Sequence, residues 1–212
     1  MSELTVAIAK GRILDSFRVL WEGSVGHWPI PDTSRQLWFP PTGQSPGMLI
    51  ARARDIATLV ALGVADVGVV GLDVLREYPT PDVLEVADLE ISQCRVVIAG
   101  THTDWPEGPV RIATKYPRIA DAFLKQHQIA GELVSLSGSL ELAPVLGLAS
   151  YIIDIVDTGR TLREHDLFEV STIMASSARL IANPAHYYTK PEVQEFRDRM
   201  VCIRKGAPYA NC

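Results

Sequence analysis

The residues best suited to chemistry lie in one string, Asp154-Ile155-Val156-Asp157-Thr158-Gly159-Arg160-Thr161-Leu162. The apolar run Tyr151-Ile152-Ile153 leads into it and reads as a strand over 151–156. A strand that ends in glycine and hydroxyl residues can turn several backbone N–H groups inward, and such a nest, or a helix N-terminus beside it, binds an anion. Gly159 lets the backbone approach the anion closely. Thr158 and Thr161 each offer a hydroxyl donor to a phosphate oxygen, and Arg160 either adds a charge or points to solvent. Asp154 and Asp157 would repel a phosphate. They make sense if they face another part of the same ligand, such as ribose hydroxyls or a magnesium ion. Acids beside Thr-Gly-x-Thr therefore point to a sugar phosphate rather than free phosphate. The plain alternative is a strand followed by a helix capped by Asp157 or Thr158.

A second set of residues is cationic. Lys10, Gly11 and Arg12 follow the first apolar run, Arg52 and Arg54 end another, and Arg35 precedes a short strand. In open α/β sheets ligands sit outside the carboxyl ends of strands, where several of these residues fall. Together they could hold a polyphosphate; singly, each is equally a solvated surface charge. The five histidines show no metal spacing and no neighbouring nucleophile pattern, and the four tryptophans form no stacking stripe. A Gly-x-Gly-x-x-Gly dinucleotide fingerprint is absent.

The elements that must position these residues alternate. Apolar strand-like runs cover 4–9, 36–39, 48–53, 66–70, 95–99, 110–113, 132–136, 151–156 and 180–182. Helical patterns cover 13–21, 72–78, 117–126, 140–148 and 192–200, and another starts at Asp55 and ends at Gly63. Strand–helix alternation predicts the α/β class with largely parallel sheets. The polar loop 100–109 is a candidate crossing between two lobes.

Composition sets outer limits. The chain has 212 residues, 47% of them hydrophobic and 21% charged, enough for one large domain or two small ones. A formal net charge of −5 argues against nucleic acid as the partner, though not against a local cationic pocket. Three cysteines without metal or redox spacing read as reduced thiols. No leader pattern follows Met1, and no stretch approaches the roughly 20 apolar residues of a membrane span, so a cytoplasmic protein is expected.

The chain resembles the short form of the ATP phosphoribosyltransferase family. The family pattern of Glu, Gly, a small residue and an apolar strand ending Asp-x-x-x-Thr-Gly-x-Thr-Leu is met by Glu141, Gly147, Ala149, Ile152, Asp154, Ile155, Thr158, Gly159, Thr161 and Leu162. Further agreement comes from Ala9-Lys10-Gly11-Arg12, Ser34-Arg35, Arg52-Ala53-Arg54-Asp55, Ala65-Asp66-Val67-Gly68 and Gly71-Leu72-Asp73-Val74-Leu75. Cys94-Arg95, the run from Arg111 to Tyr116, the run from Gly138 to Pro144, and Ser177-Ala178-Arg179-Leu180 fit as well, so the resemblance spans nearly the whole chain. It departs at Leu72, where many relatives carry Lys, at Arg160, where Asn is frequent, and through 22–32.

The resemblance implies two α/β lobes similar to type II periplasmic binding proteins, with the active site in the interlobe cleft. Lobe I would comprise 1–99 plus 180–212 and lobe II 100–179, the latter carrying the phosphoribosyl pyrophosphate turn, with no C-terminal regulatory domain. The implied reaction joins N1 of ATP to C1 of the ribose of phosphoribosyl pyrophosphate and expels pyrophosphate, opening histidine biosynthesis. Lys10 and Arg12 would act electrostatically, with no general base. Asp154, Asp157, Thr158, Gly159, Arg160, Thr161, Gly11, Arg35, Arg52, Asp73, Ser139 and Glu141 would bind substrate. Mg2+ would come with the substrate phosphates and take no protein ligand. A regulatory subunit resembling histidyl-tRNA synthetase is the implied partner, in a hetero-oligomer. The competing expectations are a solute-binding protein of the same fold, which would need an export signal or anchor, and a phosphoribosyltransferase for another base.

Overall fold

The computed structural model describes residues 4–23, 25–31, 34–43, 45–104 and 108–205. The chain divides into two compact units, Met1–Ser92 with Ser177–Cys212, and Gln93–Ser176.

The first unit opens with β1 (Thr5–Ala9), α1 (Arg12–Glu22), β2 (Trp38–Phe39), β3 (Gly47–Ala51), α2 (Ala53–Ala61), β4 (Val67–Gly71), α3 (Leu72–Glu77) and β5 (Leu84–Asp88). The second unit holds β6 (Cys94–Gly100), β7 (Val110–Thr114), α4 (Pro117–His127), β8 (Gly131–Ser135), α5 (Leu142–Val145), β9 (Tyr151–Val156), α6 (Arg160–Glu164) and β10 (Phe168–Ser176). The chain then returns with β11 (Ala178–Ala182), α7 (Pro184–Thr189) and α8 (Pro191–Arg204). The first unit's sheet runs β2-β3-β1-β4-β11-β5, and the second's runs β10-β6-β9-β7-β8.

Both sheets are covered on two faces, and the strands show why. In β1 and β11 alternate residues feed opposite cores: Val6, Ile8, Leu180 and Ala182 pack with Phe17 and Trp21 of α1 and Phe196 of α8, while Ala7, Ala9 and Ile181 pack with Ile56 and Val60 of α2. Phe17 and Trp21 lie one helical turn apart on α1 and are almost wholly buried, each removing a large apolar surface from water. In the second unit Ile119, Ala120, Phe123 and Leu124 of α4 cover Ile98, Ile112 and Ile153, and Leu140, Ala143 and Leu162 cover the opposite face against Val97, Ala113 and Ile152.

The crossings between units fall after Ser92, ahead of the position expected near Gly100, and after Ser176, three residues before Arg179. The cause is strand pairing: β6 pairs with β9 and β10 in the second sheet, so the strand expected over 95–99 belongs to that unit. The sheets are mixed rather than largely parallel. β3, β1 and β4 run parallel, as do β8, β7 and β9. β6 enters beside the carboxyl end of β9, with Arg95 opposite Val156, and β11 enters beside the carboxyl end of β4, with Ala178 opposite Gly71. Strands that arrive from a crossing at that end must run against their neighbours.

Other expectations shift locally. The helix expected over 140–148 shortens to Leu142–Val145, bounded by Ser139 and Gly147, both at positive φ. α2 begins two residues before Asp55, with Arg52 at its N-cap and no side-chain cap bond. β5, β10 and α7 are additional elements. Cys94 is a buried thiol outside any disulfide, whereas Cys202 is disulfide-bonded, contrary to the expectation of reduced thiols throughout. Among the described residues no helix is long and apolar enough to cross a membrane.

Candidate active site

The singled-out residues form two sets, one in each unit. In the second unit β7, β8 and β9 run parallel; Thr114, the last residue of β7, stands opposite Ser135, the last of β8, and opposite Ile153, from which β9 runs on to Val156. The fully buried Thr114 fastens this end: its Oγ1 donates to the Ile153 carbonyl at 2.8 Å and accepts from the Tyr116 N–H at 2.9 Å. One residue further on, Lys115 Nζ lies 2.8 Å from Asp154 Oδ1. The Ile155 N–H donates to the same oxygen at 2.7 Å. The two side chains are 36% and 19% exposed, and an ion pair this open contributes only about 0–1 kcal/mol to stability. Past β8 the Leu136 N–H donates to the Thr114 carbonyl at 3.0 Å, and the chain continues to the exposed Ser139 and the partly exposed Glu141.

Beyond β9 the backbone turns at exposed Asp157 and Thr158 and reaches Gly159, whose φ of 74° and ψ of 12° are left-handed. Glycine takes that conformation without the Cβ penalty other residues meet. Gly159 itself occupies the N-cap of α6, the position that the capped-helix alternative gave to Asp157 or Thr158. Leu162 anchors the turn from beneath, 7% exposed in the core with Leu140, Ala143 and Ile152. Burying a leucine side chain stabilises by about 1.5–3 kcal/mol, which suits one short turn that must hold its shape. Arg163 Nη1 donates to the Thr158 carbonyl at 3.0 Å and braces the turn from its other side. Thr161 is exposed, and Arg160 Nε lies 2.7 Å from Glu164 Oε1.

Along the antiparallel pair β6–β10, Arg95 donates to Glu169 Oε2 at 2.8 Å and Thr172 Oγ1 donates to Glu169 Oε1 at 2.7 Å. Burial pushes the Glu169 carboxyl up, but those two hydrogen bonds and the Arg95 charge outweigh it and hold the group below the ordinary carboxylate value.

In the first unit, β3, β1 and β4 also end together, with Ala9 opposite Ala51 and Ile8 opposite Val69. Their carboxyl ends bring Lys10, Gly11 and Arg12 beside Arg52 and beside the Gly71-Leu72-Asp73 turn. The Lys10 N–H donates to the Ala51 carbonyl at 2.9 Å, which ties the two ends. Gly11 has a φ of 92°, and a Cβ there would meet nothing within 4 Å, so the surface beside the backbone is open. The Ile50 N–H donates to the Leu37 carbonyl at 2.7 Å, which ties the segment that follows the exposed Arg35 to β3. Arg12 Nη2 donates to the Ser92 carbonyl at 3.2 Å, and Ser92 Oγ donates to the Arg12 carbonyl at 3.2 Å. Asp73 stands apart from the set: it is 5% exposed and its Oδ1 sits against Gly71, inside the unit rather than on its surface.

Two residues of this arrangement escaped the sequence reading as site residues. Lys115 follows a strand directly, as Lys10 does, and that position was the signal available. Arg163 gave none, because its role depends on the turn bringing Thr158 back over it.

Comparison with known proteins agrees with this geometry. Residues 52–201, which include the whole Asp154–Leu162 string, match the HisG family of ATP phosphoribosyltransferases. An ATP phosphoribosyltransferase of Halalkalibacterium halodurans is 40% identical over 210 residues, covering 97% of this chain and 99% of that protein. A chain of the ATP phosphoribosyl transferase (HisG:HisZ) complex from Thermotoga maritima superposes with a TM-score of 0.79 at 31% identity, covering 96% of this chain and 99% of that one. A substrate-binding protein of an amino acid ABC transporter shares the fold, with a TM-score of 0.58 at 10% identity over 98% of this chain and 96% of its own. By sequence along its length and by fold, the chain belongs to the ATP phosphoribosyltransferase family.

Proposed function

We infer that the protein transfers the phosphoribosyl group of phosphoribosyl pyrophosphate to N1 of ATP and releases pyrophosphate, the first step of L-histidine biosynthesis. The family match carries this reading, because it spans the turn at Gly159 together with the strand that presents it.

Adenine N1 attacks C1 of the ribose with its own lone pair, the C1–O bond to pyrophosphate breaks, and no base has to remove a proton first. Catalysis then rests on alignment and on stabilising charge that moves onto the leaving group. The turn at Thr158, Gly159 and Thr161 is assigned to the 5-phosphate, and Asp154 and Asp157 to the ribose hydroxyls. Lys10 and Arg12, with Gly11, Arg35 and Arg52 around them, are assigned to the pyrophosphate and the ATP phosphates; their common strand ends support this. Ser139 and Glu141 remain candidates for polar contacts to the sugar or base. Asp73, being buried, is the weakest of the set.

Magnesium is assigned to the substrate phosphates, where it would neutralise charge on the departing pyrophosphate. Among the described residues no group of three or more His, Cys, Asp or Glu is placed to hold a metal, and Asp154 Oδ1 is already taken by Lys115. A regulatory subunit resembling histidyl-tRNA synthetase, in a hetero-oligomer, is the proposed partner; the HisG:HisZ complex of Thermotoga maritima supports it. The cytoplasm, which supplies both substrates, is the proposed location.

The test is to mix purified protein with ATP, phosphoribosyl pyrophosphate and magnesium, and to follow pyrophosphate and phosphoribosyl-ATP. Turnover with another base and none with ATP would overturn the assignment. Strong inhibition of the isolated chain by histidine would overturn the need for a regulatory partner.

A further inference from the structure

Asp154 presents a problem of charge and aim. It lies four residues before Thr158, on the strand that delivers the phosphate turn, and a bare carboxylate there would repel the ligand the turn is to hold. The structure supplies a counter-charge from the neighbouring strand. Lys115 Nζ meets Asp154 Oδ1 at 2.8 Å, and the Ile155 N–H meets the same oxygen at 2.7 Å. Both donors thus converge on Oδ1, and among the described residues Oδ2 accepts no hydrogen bond.

The lysine is held as firmly as the aspartate. Thr114, the residue before it, is locked to Ile153 and to the Tyr116 N–H, so the position where the Lys115 side chain leaves the backbone is fixed against β9. The Lys115 ammonium also lies 5.3 Å from the centre of the Tyr116 ring, a cation–π contact that restricts the far end of the side chain. A surface pair contributes little to stability, so this much ordering is better explained by what it does to Asp154.

We propose that Lys115 is a positioning residue for the ribose of phosphoribosyl pyrophosphate, occupying Asp154 Oδ1 so that Oδ2 is left to accept from a ribose hydroxyl. This rests on the transferase reading above. Lys115 forms no bond to the reacting atoms. It fixes the rotation of the carboxylate and cancels its charge beside the phosphate turn, so its loss weakens the sugar phosphate and spares ATP.

The experiment measures steady-state kinetics with each substrate varied in turn for the wild type, Lys115→Met, Lys115→Arg, Asp154→Asn and the Lys115→Met/Asp154→Asn double variant, alongside thermal melting of each. The expected result is a KM for phosphoribosyl pyrophosphate raised about tenfold in Lys115→Met, equivalent to about 1.4 kcal/mol, with the KM for ATP within about twofold. Lys115→Arg should recover most of the loss, because a guanidinium can also reach the carboxylate. The double variant should be no worse than Asp154→Asn alone, since Lys115 acts only through Asp154. A lowered melting temperature with both KM values unchanged, or losses that multiply in the double variant, would overturn the proposal. A wild-type protein that does not turn over ATP and phosphoribosyl pyrophosphate at all would instead remove the transferase reading.

Discussion

Arg160 Nε lies 2.7 Å from Glu164 Oε1, one helical turn along α6, with the two side chains 80% and 55% exposed. The guanidinium therefore runs forward along its own helix and ends in an open pair. Such pairs stabilise by about 0.3–0.5 kcal/mol and are screened by salt. Arg160→Ala is expected to leave the KM for phosphoribosyl pyrophosphate within about twofold of wild type. Thr161→Ala, which removes a hydroxyl from the turn itself, is expected to raise it about tenfold or more, the loss of roughly 1.4 kcal/mol. Parallel steady-state titrations of the two variants decide this; equal effects would put Arg160 back on the substrate.

Gly159 holds the left-handed conformation that the turn requires, and a Cβ there would come within 3.2 Å of Arg163 Nη1. Gly159→Ala would meet backbone strain of about 1 kcal/mol and push away the guanidinium that braces the Thr158 carbonyl. We expect a fall of a few degrees in melting temperature, together with weaker phosphoribosyl pyrophosphate binding by calorimetry. Unchanged affinity would mean that the turn does not need this shape to bind.

Asn183 tests a region remote from that turn. Its Oδ1 accepts from the His186 N–H at 3.1 Å, and its Nδ2 donates to the carbonyls of Val60 and Ala61 at 2.9 and 3.2 Å. It therefore caps α7 and closes the end of α2 at once, while only 8% exposed. Asn183→Ala should lower unfolding free energy by roughly 2–3 kcal/mol, the sum of a lost cap and unsatisfied buried carbonyls. Urea unfolding measures this, and KM values taken well below the melting temperature should not move.

Glu169 gives a pH prediction with a definite sign. Its carboxyl is held below the ordinary value in the folded protein, so its contribution is complete above the unfolded-state value of about 4.3 and is lost as pH falls through the lower, folded one. Since Arg95 and Glu169 are 44% and 31% exposed, the contribution is at most about 1 kcal/mol. Glu169→Gln should flatten the acid limb of the stability curve below about pH 4.5 and change little at pH 7. A variant as acid-sensitive as wild type would show that the Arg95 contact does not stabilise the strand pair.

The strands that carry the chemistry were legible because they are apolar on both faces: Thr5–Ala9, Val67–Gly71 and Tyr151–Val156 lie close to the predicted spans. β5 and β10 were not, because half-buried strands of mixed polarity, such as Leu-Glu-Val-Ala-Asp, carry no continuous apolar signal. β10 also bulges twice against β6, which breaks any period of two. Within the candidate site, the glycine turn and the cationic strand ends were legible from residue type and spacing. The Lys115–Asp154 pair was not, because residues 39 apart in the chain become neighbours only through the β7–β9 register.

The place of β11 bears on how the molecule is made. It lies in the interior of the first sheet, hydrogen-bonded to β4 on one side and β5 on the other. A chain growing on the ribosome completes every strand of the second unit by Ser176, before any of β11 has been synthesised. Until Ala182 follows, β4 and β5 each present an unpaired edge of the kind that recruits other chains into aggregates. The unit that bears the phosphate turn is thus the first whose parts are all available to fold, and the unit that holds β1 is completed after it.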